Sequence, residues 1–143
     1  MNRHRLCRIC AVALLAGATM GSAFADPIGL WRGSDGGTTR IVACGTALCG
    51  FLASINPPDD PATGRPWTDK HNSDPAKRDN PLVGAEVLIN MRPNGQGRWS
   101  GHLYYYERGG IYSGNLTEVD ANTIRVEGCL WIICDGDTLT RVK

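Results

Sequence analysis

Residues 82–130 read LVGAEVLINMRPNGQGRWSGHLYYYERGGIYSGNLTEVDANTIRVEGCL, and this stretch decides the fold class. Short alternating runs are broken repeatedly by Gly, Asn, Asp and Pro, and no apolar set recurs with a helical period. Trp99, Gly101, Leu103 and Tyr105 share one face of a strand. Ile124 and Val126 share one face of another, with Thr123, Arg125 and Glu127 on the opposite side. Val83, Ala85, Val87 and Ile89 form the more apolar face of theirs, which puts Glu86, beside Leu82 and Leu88, toward solvent.

Working outward, strands are expected over 28–33, 37–44, 48–55, 82–90, 97–105, 111–119, 123–130 and 138–142. Most connections have hairpin length, as at 34–36, 92–96, 108–110 and 120–122. Eight strands joined mainly by hairpins suggest an antiparallel up-and-down meander. Closing it into a small barrel removes its edges and encloses either a filled interior or one small ligand. A β-sandwich is the alternative. Residues 56–81 (NPPDDPATGRPWTDKHNSDPAKRDNP) break the pattern, because a loop so long inside a compact domain is usually functional or disordered. Trp67 in its middle favours folding back over the barrel, with a short helical turn near residues 74–78.

The N-terminal 25 residues have another character. Arg3, Arg5 and Arg8 precede an apolar run of about ten residues, and Ala23-Phe24-Ala25 offers small residues for cleavage. This is the three-part secretory pattern, and the run falls short of the roughly 20 residues that span a bilayer. The working form is therefore expected to be one domain, residues 26–143, periplasmic or secreted after cleavage near Ala25, with no membrane span. All 14 acidic residues lie beyond Ala25, whereas three of the 15 Lys and Arg precede it, so the mature charge is about −2. No electrostatic case for nucleic acid or anionic lipid follows.

Cleavage also removes Cys7 and Cys10, leaving Cys44, Cys49, Cys129 and Cys134 as two C-x4-C pairs. An even number in an exported chain argues for structural disulfides. Each pair flanks an apparent turn, which favours local pairing, 44–49 and 129–134, over the crossed connectivities. Zinc is disfavoured by spacing and compartment, and the redox C-x-x-C pattern is absent after residue 25.

Several stretches together resemble the domain of unknown function 2147 family of exported bacterial proteins. They are Gly29-Leu30-Trp31, Cys44-Gly45 with Leu48-Cys49-Gly50, Asp69 to Pro75, Pro81-Leu82-Val83-Gly84 and Trp99-Ser100-Gly101, then Tyr112-Ser113-Gly114, Val126 to Cys129 and Thr140-Arg141-Val142. The resemblance covers essentially the whole mature chain and implies export and a compact β fold, with no reaction attached. His71, Ser73 and Asn80 depart from it; Asn80 stands where an arginine is common, so an anion-binding role for that arginine is not carried over. A second resemblance, to lipocalin-like barrels, rests on Gly29, Trp31 and Arg141, whose guanidinium would stack on the indole and close the barrel's base.

Trp67, Asp69, His71, Asn72 and Asp74 are the candidate ligand-binding residues, lining the barrel mouth for a polar ligand or a divalent cation. The competing reading gives Asp69, Asn72 and Asp74 turn-capping roles and makes Trp67 a plug. Tyr104 and Tyr106 face away from Tyr105, so the three cannot form one binding stripe, and His102 shares the Tyr104 face. No nucleophile elbow, paired-His motif, calcium loop or phosphate-cradling glycine loop is present, so no catalytic residue, metal or cofactor is assigned. The expected function is a small periplasmic ligand-binding or envelope-associated barrel, its pocket lined by Val83, Val87, Leu103 and Trp31. A filled protein-interaction module with an envelope partner, and a hydrolase using the 69–74 loop, are the alternatives.

Overall fold

The computed structural model describes residues 26–143; the expected leader lies outside them. Eight strands close into an antiparallel barrel: β1 (Gly29–Arg32), β2 (Thr38–Cys44), β3 (Ala47–Ser54), β6 (Glu86–Pro93), β7 (Arg98–Tyr105), β8 (Gly110–Asp120), β9 (Thr123–Leu130) and β10 (Ile133–Arg141). Two short strands, β4 (Asp59–Asp60) and β5 (Arg65–Pro66), pair with each other inside the long loop. Each barrel strand pairs with its neighbour in the chain, and β1 meets β10 at Trp31↔Arg141 and Arg32↔Thr140 to close the ring. The up-and-down barrel, rather than the sandwich, is the architecture. Among the described residues no helix is long and apolar enough to cross a membrane.

Strand alternation sorts the connections onto two ends. The turns after β2, β6 and β8 gather at the base with the start of β1 and the end of β10. The turn after β1, the 55–85 loop, the turn after β7 and the β9–β10 hairpin gather at the rim. Large side chains fill the base half: Trp31, Ile41, Met91, Leu116 and Ile124 are fully buried. Trp31 Nε1 donates to the Pro27 carbonyl at 2.7 Å, which satisfies its only polar atom. Arg141 stacks over the indole at 4.2 Å. Its Nε, Nη1 and Nη2 donate to the carbonyls of Ala121, Ile28 and Asp26 at 3.0, 3.0 and 2.8 Å. One planar cation thus ties the first strand, the β8–β9 turn and the last strand together.

The inward face of β6 differs from the expected one. Leu88 and Met91 are buried, while Val83 is 51% exposed and precedes the strand. Asn90 has a φ of 50°, and the β6–β7 register shifts between Ile89 and Arg92. This irregularity lets both Leu88 and Met91 point inward, which strict alternation forbids. Gly50 on β3 makes room: a Cβ there would lie 2.6 Å from Leu88 Cδ1. Glu86 is exposed, at the rim.

Both disulfides are local, Cys44–Cys49 across the β2–β3 turn and Cys129–Cys134 across the β9–β10 hairpin. Closing loops this short contributes about 2 kcal/mol each in the chain-entropy account. Beyond the second bridge the hairpin tip is apolar and bare, with Trp131 94% and Ile132 95% exposed. Trp131 has a φ of 58°, in a two-residue turn where glycine is usual.

Two stability effects follow. The left-handed backbone at Trp131 costs an L-residue about 1–2 kcal/mol, and glycine's added unfolded-state entropy offsets roughly half of that. Trp131→Gly is therefore expected to raise stability by about 0.5–1 kcal/mol in urea unfolding; a loss of that size would show native contacts made by the indole. Arg141→Lys keeps the charge but cannot stack and reach three carbonyls together, and is expected to lower stability by about 1–3 kcal/mol in the same measurement.

Candidate functional site

Filling the base leaves the rim half of the barrel open. A cavity of about 360 Å³ opens there. Its floor and walls are Leu52, Val87, Leu88, Leu103, Val126 and Leu139, contributed by β3, β6, β7, β9 and β10. Of the four residues expected to line a pocket, Val87 and Leu103 do so; Trp31 fills the base and Val83 stands exposed in the loop.

Tyr105 forms one shoulder of the cavity. Its ring meets Tyr112 edge to face at 5.3 Å, and its hydroxyl donates to the Asp135 carbonyl at 3.0 Å. Gly128 permits this crossing, because a side chain there would overlap the Tyr105 ring. Burial, and then the neighbouring Asp135 charge, push the Tyr105 phenol above its ordinary range, although Arg108, 5.9 Å from the ring centre, acts the other way. Tyr106 is pushed up by burial and then by the charges of Asp35 and Glu107.

The charged groups that line the cavity are acidic. Asp35, Glu107, Asp135 and Asp137 line the cavity, and no Lys, Arg or His does. Asp35 Oδ1 accepts from the Gly37 amide at 2.8 Å, and Asp137 Oδ2 accepts from the Ser34 amide at 2.9 Å, so these two shape the β1–β2 turn.

The 55–85 loop folds against the rim beside this cavity. Trp67 Nε1 donates to the Pro57 carbonyl at 2.9 Å, and the Lys70 ammonium lies 5.2 Å from the Trp67 ring centre. Lys70 also bonds the buried Asp60 at 2.8 Å, which holds that carboxyl below its ordinary range. Asp69, 6% exposed, accepts the Tyr104 hydroxyl and an Asn72 amide hydrogen, both at 2.6 Å. Asn72 Nδ2 also donates to the Tyr104 hydroxyl at 3.0 Å. Asp74 Oδ1 caps the short 3-10 turn Pro75–Lys77 through the Ala76 amide.

The five candidate loop residues therefore occupy different places. Asp69 and Asn72 anchor the loop to β7, and Asp74 caps a turn. Trp67 and the exposed His71 border a side cavity of about 380 Å³ between loop and rim, shared with Ile55, Leu82, Tyr106 and Glu107. Tyr104 is a residue that sequence reasoning left without a role. Its outward position opposite a loop rich in carboxylates was the available signal. Among the described residues no group of three or more His, Cys, Asp or Glu converges as a metal site.

The Tyr104 anchor has an alkaline signature. Burial first, then the Asp69 hydrogen bond and charge, raise its phenol from 10.0 to about 12. A raised folded-state value means that the anchor's contribution is complete below pH 10 and is lost as pH climbs toward 12. The phenolate absorbance difference between wild type and Tyr104→Phe is expected to titrate near pH 12; a midpoint near 10 would show the hydroxyl free of Asp69.

A solved structure with this architecture is protein HP1028 from the human pathogen Helicobacter pylori, described as belonging to the lipocalin family. It aligns with a TM-score of 0.71 and 14% identity, covering 83% of this chain and 84% of that one. At that identity the likeness shows the fold, and the lipocalin-like barrel read from the sequence is borne out. No curated protein matches the chain. The family model described as "Uncharacterized protein conserved in bacteria (DUF2147)" matches residues 29–141, nearly the whole described domain, and the chain belongs to that family.

Proposed function

We propose that this protein binds a small, largely apolar molecule reversibly at the open end of its barrel, outside the cytoplasm. The observation that carries the reading is the division of one barrel into a filled base and an open apolar half. A volume of about 360 Å³ falls within the range of small-molecule sites, roughly 300–1,000 Å³, and the lining fits them too: apolar walls with a few polar groups at the mouth. The two disulfides support an oxidising compartment, in keeping with the secretory pattern of residues 1–25. The loop, anchored by Tyr104, Asp69 and Asn72, forms a wall beside the mouth, with Trp67 and His71 on its inner side.

Binding, rather than hydrolysis by the 69–74 loop, suits this geometry, because Asp69 and Asp74 already accept hydrogen bonds from the protein itself. A second reading rests on the bare hairpin tip around Trp131 and Ile132, which would serve as a contact surface for an envelope protein.

The test uses the uncharged fluorophore N-phenyl-1-naphthylamine. Saturable, one-to-one fluorescence enhancement is expected with the wild-type domain. Val126→Trp, which fills the cavity from β9, is expected to abolish it while leaving the far-ultraviolet circular dichroism unchanged. Equal enhancement in a folded Val126→Trp variant would place the probe elsewhere and remove the proposal.

A further inference from the structure

We infer that the barrel mouth selects amphipathic cations, molecules with an apolar body of the size of the cavity and a single ammonium or similar head. This rests on the binding reading above and deepens it.

The cavity supplies the site, and the charges around it set the class of ligand. Apolar side chains from five strands form the floor, so the body of a ligand is buried there by desolvation. Every ionisable side chain at the opening other than tyrosine is a carboxylate: Asp35, Glu107, Asp135 and Asp137. None of them takes part in the ion pairs of the described residues, which join Lys70 to Asp60, Lys77 to Asp74 and Arg125 to Glu127. Asp35 and Asp137 are held by backbone amides, so their charges are fixed in place. The field at the mouth is felt by its own side chains, since Asp35 and Glu107 act on Tyr106, and Asp135 on Tyr105.

No Lys, Arg or His of the described residues is among the lining groups. Lys70 is engaged with Asp60 and Trp67, and Arg125 with Glu127. Arg108 lies over the Tyr105 ring, and His71 borders the side cavity; neither lines the main one. A fatty-acid carboxylate entering head-outward would meet four like charges. An alkylammonium head would meet four opposite charges, with Tyr105 and Tyr106 also among the lining residues.

Competition against N-phenyl-1-naphthylamine separates this claim from the binding reading. Dodecyltrimethylammonium and dodecanoate share a chain length and differ in head charge, and both are used below their micellar concentrations. The ammonium is expected to displace the probe about ten-fold more tightly at low ionic strength, with the advantage collapsing in about 1 M salt, where the Debye length is about 3 Å. Glu107→Gln with Asp135→Asn should remove most of the preference, read as the ratio of the two amphiphiles' displacement constants in the same folded variant, so that any change in affinity for the uncharged probe cancels. Equal or tighter binding of dodecanoate, or a preference that survives the double variant and high salt, overturns the cation assignment and leaves the binding reading standing. Failure of the uncharged probe and of both amphiphiles to bind overturns both.

Discussion

The fold depends on closing one end of the barrel. Eight strands enclose a volume that side chains can fill, so whether any space remains depends on how the large residues are distributed along the axis. Here Trp31, Ile41, Met91, Leu116 and Ile124 are concentrated in the base half. The Arg141 guanidinium seals that end by stacking on Trp31 and donating to three carbonyls from two segments, residues 26–28 and the β8–β9 turn. Those carbonyls belong to the stretch before β1 and to a turn, where strand pairing supplies no donors. Without this cation the β1–β10 seam, which is the shortest in the barrel because β1 has only four residues, would have little to hold it.

Sealing the base frees the rim for irregular structure. The long loop, two turns and a hairpin all converge there, and each is pinned by a separate device. Tyr104 reaches from β7 to the buried Asp69 and its Asn72 partner. Ser73 donates to the Gly109 carbonyl, so the loop also rests on the β7–β8 turn. The hairpin is pinned by the Cys129–Cys134 bridge, and the β1–β2 turn by Asp35 and Asp137. A mouth assembled this way holds its shape through polar contacts and a covalent bond above the core residues Leu88, Leu103 and Leu139.

Much of this was legible in the sequence because it depends on local pattern. Period-two alternation and hairpin-length turns identified the meander, and C-x4-C spacing around two turns anticipated both bridges. Gly29, Trp31 and Arg141 signalled closure from opposite ends of the chain. What alternation could not deliver was the inward face of β6. Its register slips at Asn90, and Gly50 on the neighbouring strand makes space for Leu88; both are properties of the pairing, not of the strand itself. The candidate site was only partly visible for a similar reason. The loop's cluster of polar residues lies at the rim, yet Asp69 and Asn72 bond each other and Tyr104 and Asp74 caps a turn, so none of the three lines the main cavity. The rim carboxylates come from two turns and strand β10, far apart in sequence, and nothing in one stretch of chain announces that Asp35, Glu107 and Asp135 share an opening.

The two ends therefore differ in how fully their groups are satisfied. At the base, the indole nitrogen, the guanidinium and the surrounding carbonyls are all paired, and the large apolar side chains are buried. At the rim, four carboxylates face one opening without a cation among them, and Trp131 holds a left-handed backbone at a solvent-exposed tip. Each rim feature opposes stability: like charges repel, and the turn conformation is unfavourable for a bulky residue. A sequence shaped for stability alone would place a lysine at the mouth and glycine at the tip. The base half has its own left-handed residue, Asn90, but the four like charges stand at the rim, over the open cavity, as expected if the binding proposed above takes place there.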